Sequence, residues 1–189
     1  MNHSVHPWID SHPHGGSSIG VTAKWLSAHV PEGWILDAGC GNGALFAELP
    51  AARLDRCLGV DIAPGHAHLA RENVPGAIFW VQNFLGADQF TFRPVKFAAI
   101  VALGWLHNDW AAHHATGIQP KERADDDQVV PYFLRAATAC TDPGAYVIAD
   151  WPSGDGAPRF PLAQFEAAGW LMKARLDADR FAGVFQREG

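Results

Sequence analysis

The chain has little that would place it in a membrane, an oxidising compartment or a complex with nucleic acid. Its three cysteines, Cys40, Cys57 and Cys140, are odd in number, far apart and without a CxxC pair. Reduced thiols in a cytoplasmic protein explain them most simply. No apolar run approaches the length of a membrane-spanning helix, and no basic region followed by an apolar stretch suggests a signal peptide.

Basic residues are also few, with 14 lysines and arginines against 20 aspartates and glutamates. The resulting net charge of −6 argues against a partner that is held through its phosphates. The length of 189 residues fits one domain with a sizeable core. These features predict a soluble, cytoplasmic, single-domain protein that binds neither nucleic acid nor membrane.

The strongest pattern in the chain begins at residue 34. The apolar run Trp34-Ile35-Leu36 is typical of a buried strand, and Gly39, Gly41 and Gly43 then follow at alternate positions. The next residues have helical spacing, which points three apolar side chains toward a core, namely Leu45, Phe46 and Leu49. The pattern predicts a strand, a tight turn and a helix. The turn would let a ligand approach the backbone closely and offer it free N–H groups.

The glycine spacing alone admits two kinds of ligand. Gly39, Gly41 and Ala44 satisfy the dinucleotide fingerprint G-x-G-x-x-G/A, and Asp61 follows at about the expected distance. The run Asp-x-Gly-Cys-Gly-x-Gly from Asp37 to Gly43 more closely resembles the first motif of class I S-adenosylmethionine-dependent methyltransferases. A dinucleotide enzyme would also need a second nucleotide-binding half, for which no residues remain.

The rest of the chain alternates strands with helices. Strands are expected at 57–61, 77–81, 97–103 and 145–150, and a helix is expected at 19–30 before the first strand. The turn 141–144 precedes the fifth strand, and two final strands at 171–176 and 181–186 are close enough to form an antiparallel hairpin. The predicted fold is α/β, a Rossmann-like doubly wound sheet of seven strands, mostly parallel with a C-terminal antiparallel hairpin. This also resembles the methyltransferase fold.

The resemblance implies which residues hold the cofactor, S-adenosyl-L-methionine. Asp37 would help to hold the methionine amine, and Asp61 would accept hydrogen bonds from both ribose hydroxyls. Asn83 would meet the adenine amino group, with Phe84 covering the ring, although Asn83 is equally well explained as a turn residue. The full set of expected cofactor contacts is Asp37, Gly39, Cys40, Gly41, Asp61, Ile62, Asn83, Phe84 and Leu103.

Two irregular segments are expected over the site. Residues 1–18 are rich in Pro, Ser, Gly and His, and we expect a flexible segment whose Trp8 and Ile9 allow it to close as a lid over the domain formed by residues 19–189. A plain tail and a histidine metal site are the alternatives, but no metal is expected, because no cysteine or carboxylate cluster supports one. Residues 108–127 form a second long, polar insertion.

Aromatic residues suggest the substrate. Four of the eight tryptophans, Trp25, Trp34, Trp80 and Trp170, lie within elements and are expected in the core. Others lie in segments expected at the rim of the pocket, where they would contact an aromatic or apolar small molecule or merely pack on loops. The expected substrate contacts are Trp8, His12, Trp105, Trp110, Asp150 and Trp151.

His107 is the candidate catalytic base. It lies just beyond the fourth strand, at the end of the sheet where ligands bind in this kind of fold. A base is needed when the methyl acceptor is a hydroxyl or an ammonium group. The alternative, that His107 only begins the insertion, is equally open.

These observations predict O- or N-methylation of a small molecule. Two alternatives stay open: an enzyme that uses S-adenosylmethionine for a non-methylating cyclisation or rearrangement, and a non-catalytic partner subunit. The oligomeric state is open as well.

Overall fold

The computed structural model describes residues 16–85, 95–106, 129–151, 160–176 and 181–189. No helix in these ranges is both long enough and apolar enough to cross a membrane. A 3-10 helix, Ala51–Arg56, lies between α2 and β2. The other elements are α1 (Gly16–His29), β1 (Trp34–Ala38), α2 (Ala44–Ala47), β2 (Cys57–Asp61), α3 (Pro64–Asn73), β3 (Ile78–Val81), β4 (Phe97–Ala102), α4 (Val129–Cys140), β5 (Thr141–Trp151), α5 (Leu162–Ala167), β6 (Trp170–Arg175) and β7 (Phe181–Arg187).

The seven strands form one sheet in the order β3-β2-β1-β4-β5-β7-β6. Strands β1 to β5 are parallel to one another, whereas β7 is antiparallel to both β5 and β6. The predicted α/β fold, with a mostly parallel sheet and a C-terminal antiparallel hairpin, is therefore confirmed. The carboxyl ends of β1, β2 and β4 lie side by side, so the glycine turn, Asp61 and Leu103 meet at one edge of the sheet.

Apolar side chains fill both faces of the sheet because successive residues of a strand point to opposite sides. Leu36 and Ile100 belong to a core beneath α4 and α5, whereas Ile35 and Val101 belong to a core beneath α1, α2 and α3. A strand that is buried on both faces therefore appears in the sequence as a continuous run of apolar residues. The predicted inward residues of the first helix after the turn are all buried: Leu45, Phe46 and Leu49.

Some boundaries and one core residue differ from the predictions. The first helix begins at Gly16 rather than Ile19, inside the segment expected to be flexible. The predicted turn at 141–144 is an irregular stretch of β5, where the register against β4 shifts and Gly144 has a φ of 89°. The prediction that Trp80 packs in the core is wrong, because its side chain is 46% exposed. The side chain of Phe79 lies on the buried face of the edge strand β3. Because successive side chains of a strand point to opposite faces, Trp80 lies on the other face.

Gly59 leaves room for the packing between β2 and β3, and replacing it with alanine is expected to destabilise the fold. A Cβ at Gly59 would lie 2.5 Å from Cδ1 of Phe79 and 2.9 Å from Cβ of Cys40. Because such overpacking costs about 1–3 kcal/mol, Gly59→Ala should lower the free energy of unfolding by that amount in urea denaturation. Gly65→Ala is the control, because a Cβ there meets no atom within 4 Å and a helix favours alanine. Equal denaturation midpoints for Gly59→Ala and the unmodified protein would contradict this account.

Candidate functional site

The turn after β1 depends on its three glycines. Gly39, Gly41 and Gly43 have φ angles of 78°, 52° and 82°, in the left-handed region that side chains disfavour. Cys40 between them is buried, and burial raises the pKa of its thiol, so the sulfur stays neutral. The tight turn predicted from the glycine spacing is therefore present, and it leads directly into α2.

Three backbone N–H groups of the turn, those of Gly39, Cys40 and Gly41, are bonded to β2. The N–H groups of Gly39 and Cys40 donate to the carbonyl oxygen of Val60 at 2.8 Å and 3.0 Å, and that of Gly41 donates to Asp61 Oδ2 at 3.0 Å. Gly43 N–H donates to the carbonyl oxygen of Cys40 at 2.9 Å. A pyrophosphate needs free N–H donors at such a turn, and these bonds take up part of the N–H groups that the turn would offer it.

Asp61, at the end of β2, accepts hydrogen bonds from two backbone N–H groups and lies beside His66. Its Oδ2 accepts from Gly41 N–H and lies 3.2 Å from His66 Nδ1, and its Oδ1 accepts from Ala63 N–H at 2.8 Å. The neighbouring Asp61 carboxylate raises the pKa of the half-buried His66 imidazole. A carboxylate offers about four acceptor sites, so about two remain beside the two backbone bonds. The expected bonds from Asp61 to both ribose hydroxyls stay a prediction.

Asp37 is buried at the end of β1, beside Asp61 and the turn. Burial, and to a lesser extent the negative charge of Asp61, raises the pKa of Asp37 to about 7. A carboxylate kept from water in this way gains most from a cationic partner, because a nearby positive charge restores the ionised form. Asp37 is therefore suited to an ammonium group.

Trp105 lies against the glycine turn. A Cβ on Gly39 would come within 2.6 Å of the indole ring, so the missing side chain of Gly39 is the space that the ring uses. The indole N–H donates to the carbonyl oxygen of Ala38, and the ring packs edge-on against Phe133 at 6.0 Å between centroids. The half-buried indole of Trp105 therefore covers Gly39, the first glycine of the turn, at the predicted site.

Asp150 fixes the loop that carries Trp105. Its side chain is fully buried at the end of β5, and its Oδ1 accepts from Gly104 N–H at 2.5 Å. Gly104 has a φ of 78°, which turns the chain after β4, and Leu103 lies half-buried just before it. The contact described for Asp150 is structural, and its expected contact with substrate stays a prediction.

Three other predicted residues make local or core contacts. Asn83 Oδ1 accepts from Leu85 N–H at 3.0 Å, as a turn residue does. Phe84 is buried 5.6 Å from Phe133, between ring centroids, and Trp151 is buried edge-on against Phe160. Their expected roles toward adenine and substrate stay predictions. Ile62 is half-buried directly after Asp61, in the position expected for a cofactor contact.

The remaining predicted site residues lie outside the described ranges: Trp8, His12, His107 and Trp110. The same holds for the proposed lid up to residue 15 and for the whole 108–127 insertion. Among the residues that the structure does describe, no group of three or more His, Cys, Asp and Glu side chains is placed to hold a metal ion.

Sequence reasoning missed three polar residues near this edge. His66 lies in the first turns of α3, five positions after Asp61, and that spacing is a signal that could have paired them. Ser18 and Thr22 are not among the predicted site residues, yet both side chains are fully buried on α1. Their spacing of four along an otherwise apolar stripe was the available signal.

Comparisons with known proteins agree with this geometry. Residues 35–119 match the family model described as a methyltransferase domain. A sugar N-methyltransferase from Streptoalloteichus has a TM-score of 0.66 at 16% identity, covering 93% of this chain and 90% of its own. A TehB-like SAM-dependent methyltransferase from Corynebacterium glutamicum has a TM-score of 0.61 at 19% identity, with coverages of 89% and 88%. No curated protein sequence matches the chain.

A third solved structure shows a similar chain with the cofactor in place. The SAM-bound amino pentose methyltransferase from Micromonospora echinaspora has a TM-score of 0.61 at 18% identity and covers 90% of both chains. The residues described above fit such a cofactor, since Asp37 is suited to its ammonium and Asp61 can still accept a hydroxyl. Residues 35–119 of the chain therefore match a methyltransferase domain, and its seven-stranded sheet has the fold of these S-adenosylmethionine-dependent methyltransferases.

Proposed function

We propose that this protein methylates an oxygen or nitrogen atom of a small molecule with aromatic or apolar character. The observation that carries the proposal is the position of Trp105, whose indole lies on Gly39 at the start of the glycine turn. An aromatic wall at this place favours a flat or apolar acceptor and excludes water from the reacting atoms.

When bound, S-adenosylmethionine supplies a methyl group activated by its sulfonium centre. The chain's own task is chiefly to bind and orient two molecules. Asp37 and Asp61 hold polar groups of the cofactor, Trp105 and Phe133 form an apolar side of the pocket, and His107 removes a proton when the acceptor is a hydroxyl or ammonium. The net charge of −6 agrees with a small, uncharged or cationic substrate better than with nucleic acid.

An amino sugar is the second candidate substrate. Two of the similar structures are a sugar N-methyltransferase and an amino pentose methyltransferase. A small amine would suit the negative charge of this chain, although Trp105 favours an aromatic or apolar face on the acceptor.

Release of adenosylhomocysteine from a panel of phenols, amines, thiols, carboxylic acids and amino sugars tests the proposal. We expect turnover with phenols or aromatic amines. Turnover restricted to amino sugars would select the second candidate. Binding of the cofactor without turnover of any acceptor, or with a rearranged product and no adenosylhomocysteine, would contradict methyl transfer.

Removal of the aromatic wall gives a sharper prediction. Trp105→Leu should raise the KM for an aromatic acceptor by roughly 3- to 10-fold, the worth of an aromatic contact, and should affect an aliphatic acceptor less. Trp34→Leu is the matched control, because Trp34 is also half-buried but lies at the opposite end of β1. Equal changes in KM for the two acceptors, or for the two variants, would remove Trp105 from substrate binding.

A further inference from the structure

Two hydroxyl groups on α1 are buried without a hydrogen bond. Ser18 and Thr22 have no exposed surface, and within the described part of the chain neither Ser18 Oγ nor Thr22 Oγ1 has a partner. Polar groups buried in this way are few in folded proteins, because each unpaired group costs free energy. Ser27 on the same helix shows the ordinary arrangement, since its Oγ donates to the carbonyl oxygen of Ala23 at 2.9 Å. The two unpaired hydroxyls therefore need an explanation.

Their positions place them toward the ligand-binding edge of the sheet. Ser18, Thr22 and Leu26 are spaced four residues apart and so lie on one side of α1, and Leu26 belongs to the core against the sheet. His29, at the other end of the helix, lines a cleft with Phe97 at the amino end of β4. The first turn of α1 consequently lies toward the carboxyl ends of the strands. The buried stripe of α1 thus changes from apolar to hydroxyl-bearing on approaching that edge.

Asp37 lies on the same side of the sheet. It is two residues after Ile35, which shares the core beneath α1 with Leu26, and alternate residues of a strand point to the same face. The first turn of α1 and the side chain of Asp37 therefore both lie on this side of the sheet, toward the carboxyl ends of its strands.

The chemistry of the two groups is complementary. Hydroxyls donate hydrogen bonds, and the first turn of a helix of this length carries partial positive charge, so this end of α1 suits an anion. Asp37 suits a cation. An amino-acid group carries an ammonium and a carboxylate on one carbon. We propose that Ser18 and Thr22, at the start of α1, bind the carboxylate of the amino-acid end of the cofactor, while Asp37 holds its ammonium group.

Calorimetric binding tests this proposal with two ligands, adenosylhomocysteine and 5′-methylthioadenosine, which lacks the amino-acid group. Thr22→Val keeps the shape of the side chain without the hydroxyl. It should weaken adenosylhomocysteine binding by roughly 10-fold or more, as expected for a hydrogen bond to a charged group, and leave 5′-methylthioadenosine binding unchanged. Ser18→Ala should act in the same direction. Ser27→Ala is the control and should change neither affinity.

Thermal unfolding of the free protein provides the second measurement. If the hydroxyls serve a ligand and not the fold, Thr22→Val should unfold at the same temperature as the unmodified protein or higher, because no protein hydrogen bond is lost. Unchanged adenosylhomocysteine affinity, or equal weakening of both ligands, would overturn the proposal. The proposal rests on the cofactor and not on the acceptor, so failure of the acceptor panel would leave these binding results intact.

Discussion

Asp37→Asn is expected to weaken adenosylhomocysteine binding by about 100-fold at pH 8, because a buried ammonium would lose its only assigned counter-charge. The pKa of Asp37 is about 7, raised by burial and then by the charge of Asp61. The ionised form binds the ammonium, so the affinity of the unmodified protein should rise as the pH passes upward through about 7. The variant should lack this part of the pH dependence. Calorimetry at about pH 6 and about pH 8 measures both effects.

The same substitution should make the free protein more stable at high pH. The folded pKa lies above the ordinary value of 3.8, so the folded state holds the proton more tightly and stability falls as the pH rises from about 4 to about 7. Asparagine at this position does not ionise, so the variant does not lose stability as the pH rises. At about 1.36 kcal/mol for each unit of pKa, the gain in the free energy of unfolding at pH 8 is at most about 4 kcal/mol.

The exposed acid Asp55 provides a control for both measurements on Asp37. Asp55→Asn should change neither the affinity for adenosylhomocysteine nor the stability appreciably, because its side chain is solvated. A variant Asp37→Asn that binds as tightly as the unmodified protein would show that Asp37 does not hold the ammonium.

His107→Ala is expected to lower turnover by about 10²–10⁴-fold for an acceptor that must lose a proton, which is the usual worth of a positioned base. Activity of the unmodified enzyme should rise with pH through the titration of a histidine, because only the neutral imidazole accepts a proton. Affinity for adenosylhomocysteine should barely change, since no cofactor contact is assigned to this side chain. Turnover measured with saturating cofactor across this pH range gives the result.

The nature of the acceptor provides the control for His107. A thiolate or carboxylate acceptor is already ionised near neutral pH and needs no base, so the variant should retain most of its activity toward such an acceptor. Full activity of His107→Ala toward a phenol or an ammonium group would remove His107 from the mechanism. Positioning alone would then account for catalysis.

Much of this fold could be predicted because its signals are local. The apolar run at Ile35 and Leu36 and the positive φ angles required of Gly39 and Gly43 depend on neighbours in sequence. The closing hairpin of β6 and β7 followed from two strands separated by a short turn. The exposure of Trp80 could not be predicted in this way, because it depends on β3 being the edge strand of the sheet.

The sequence by itself determined the order of strands and helices, the glycine turn and the two acids that follow β1 and β2, since each is specified by residues adjacent in the chain. Only the tertiary structure decided how these groups are used. The N–H groups of Gly39 and Cys40 bond to the β2 backbone, and packing brings Trp105 onto Gly39. Within the described part of the chain, packing also leaves the hydroxyls of Ser18 and Thr22 buried without partners. These contacts join residues distant in sequence, and hydrogen-bond partners and burial are properties of the folded chain as a whole.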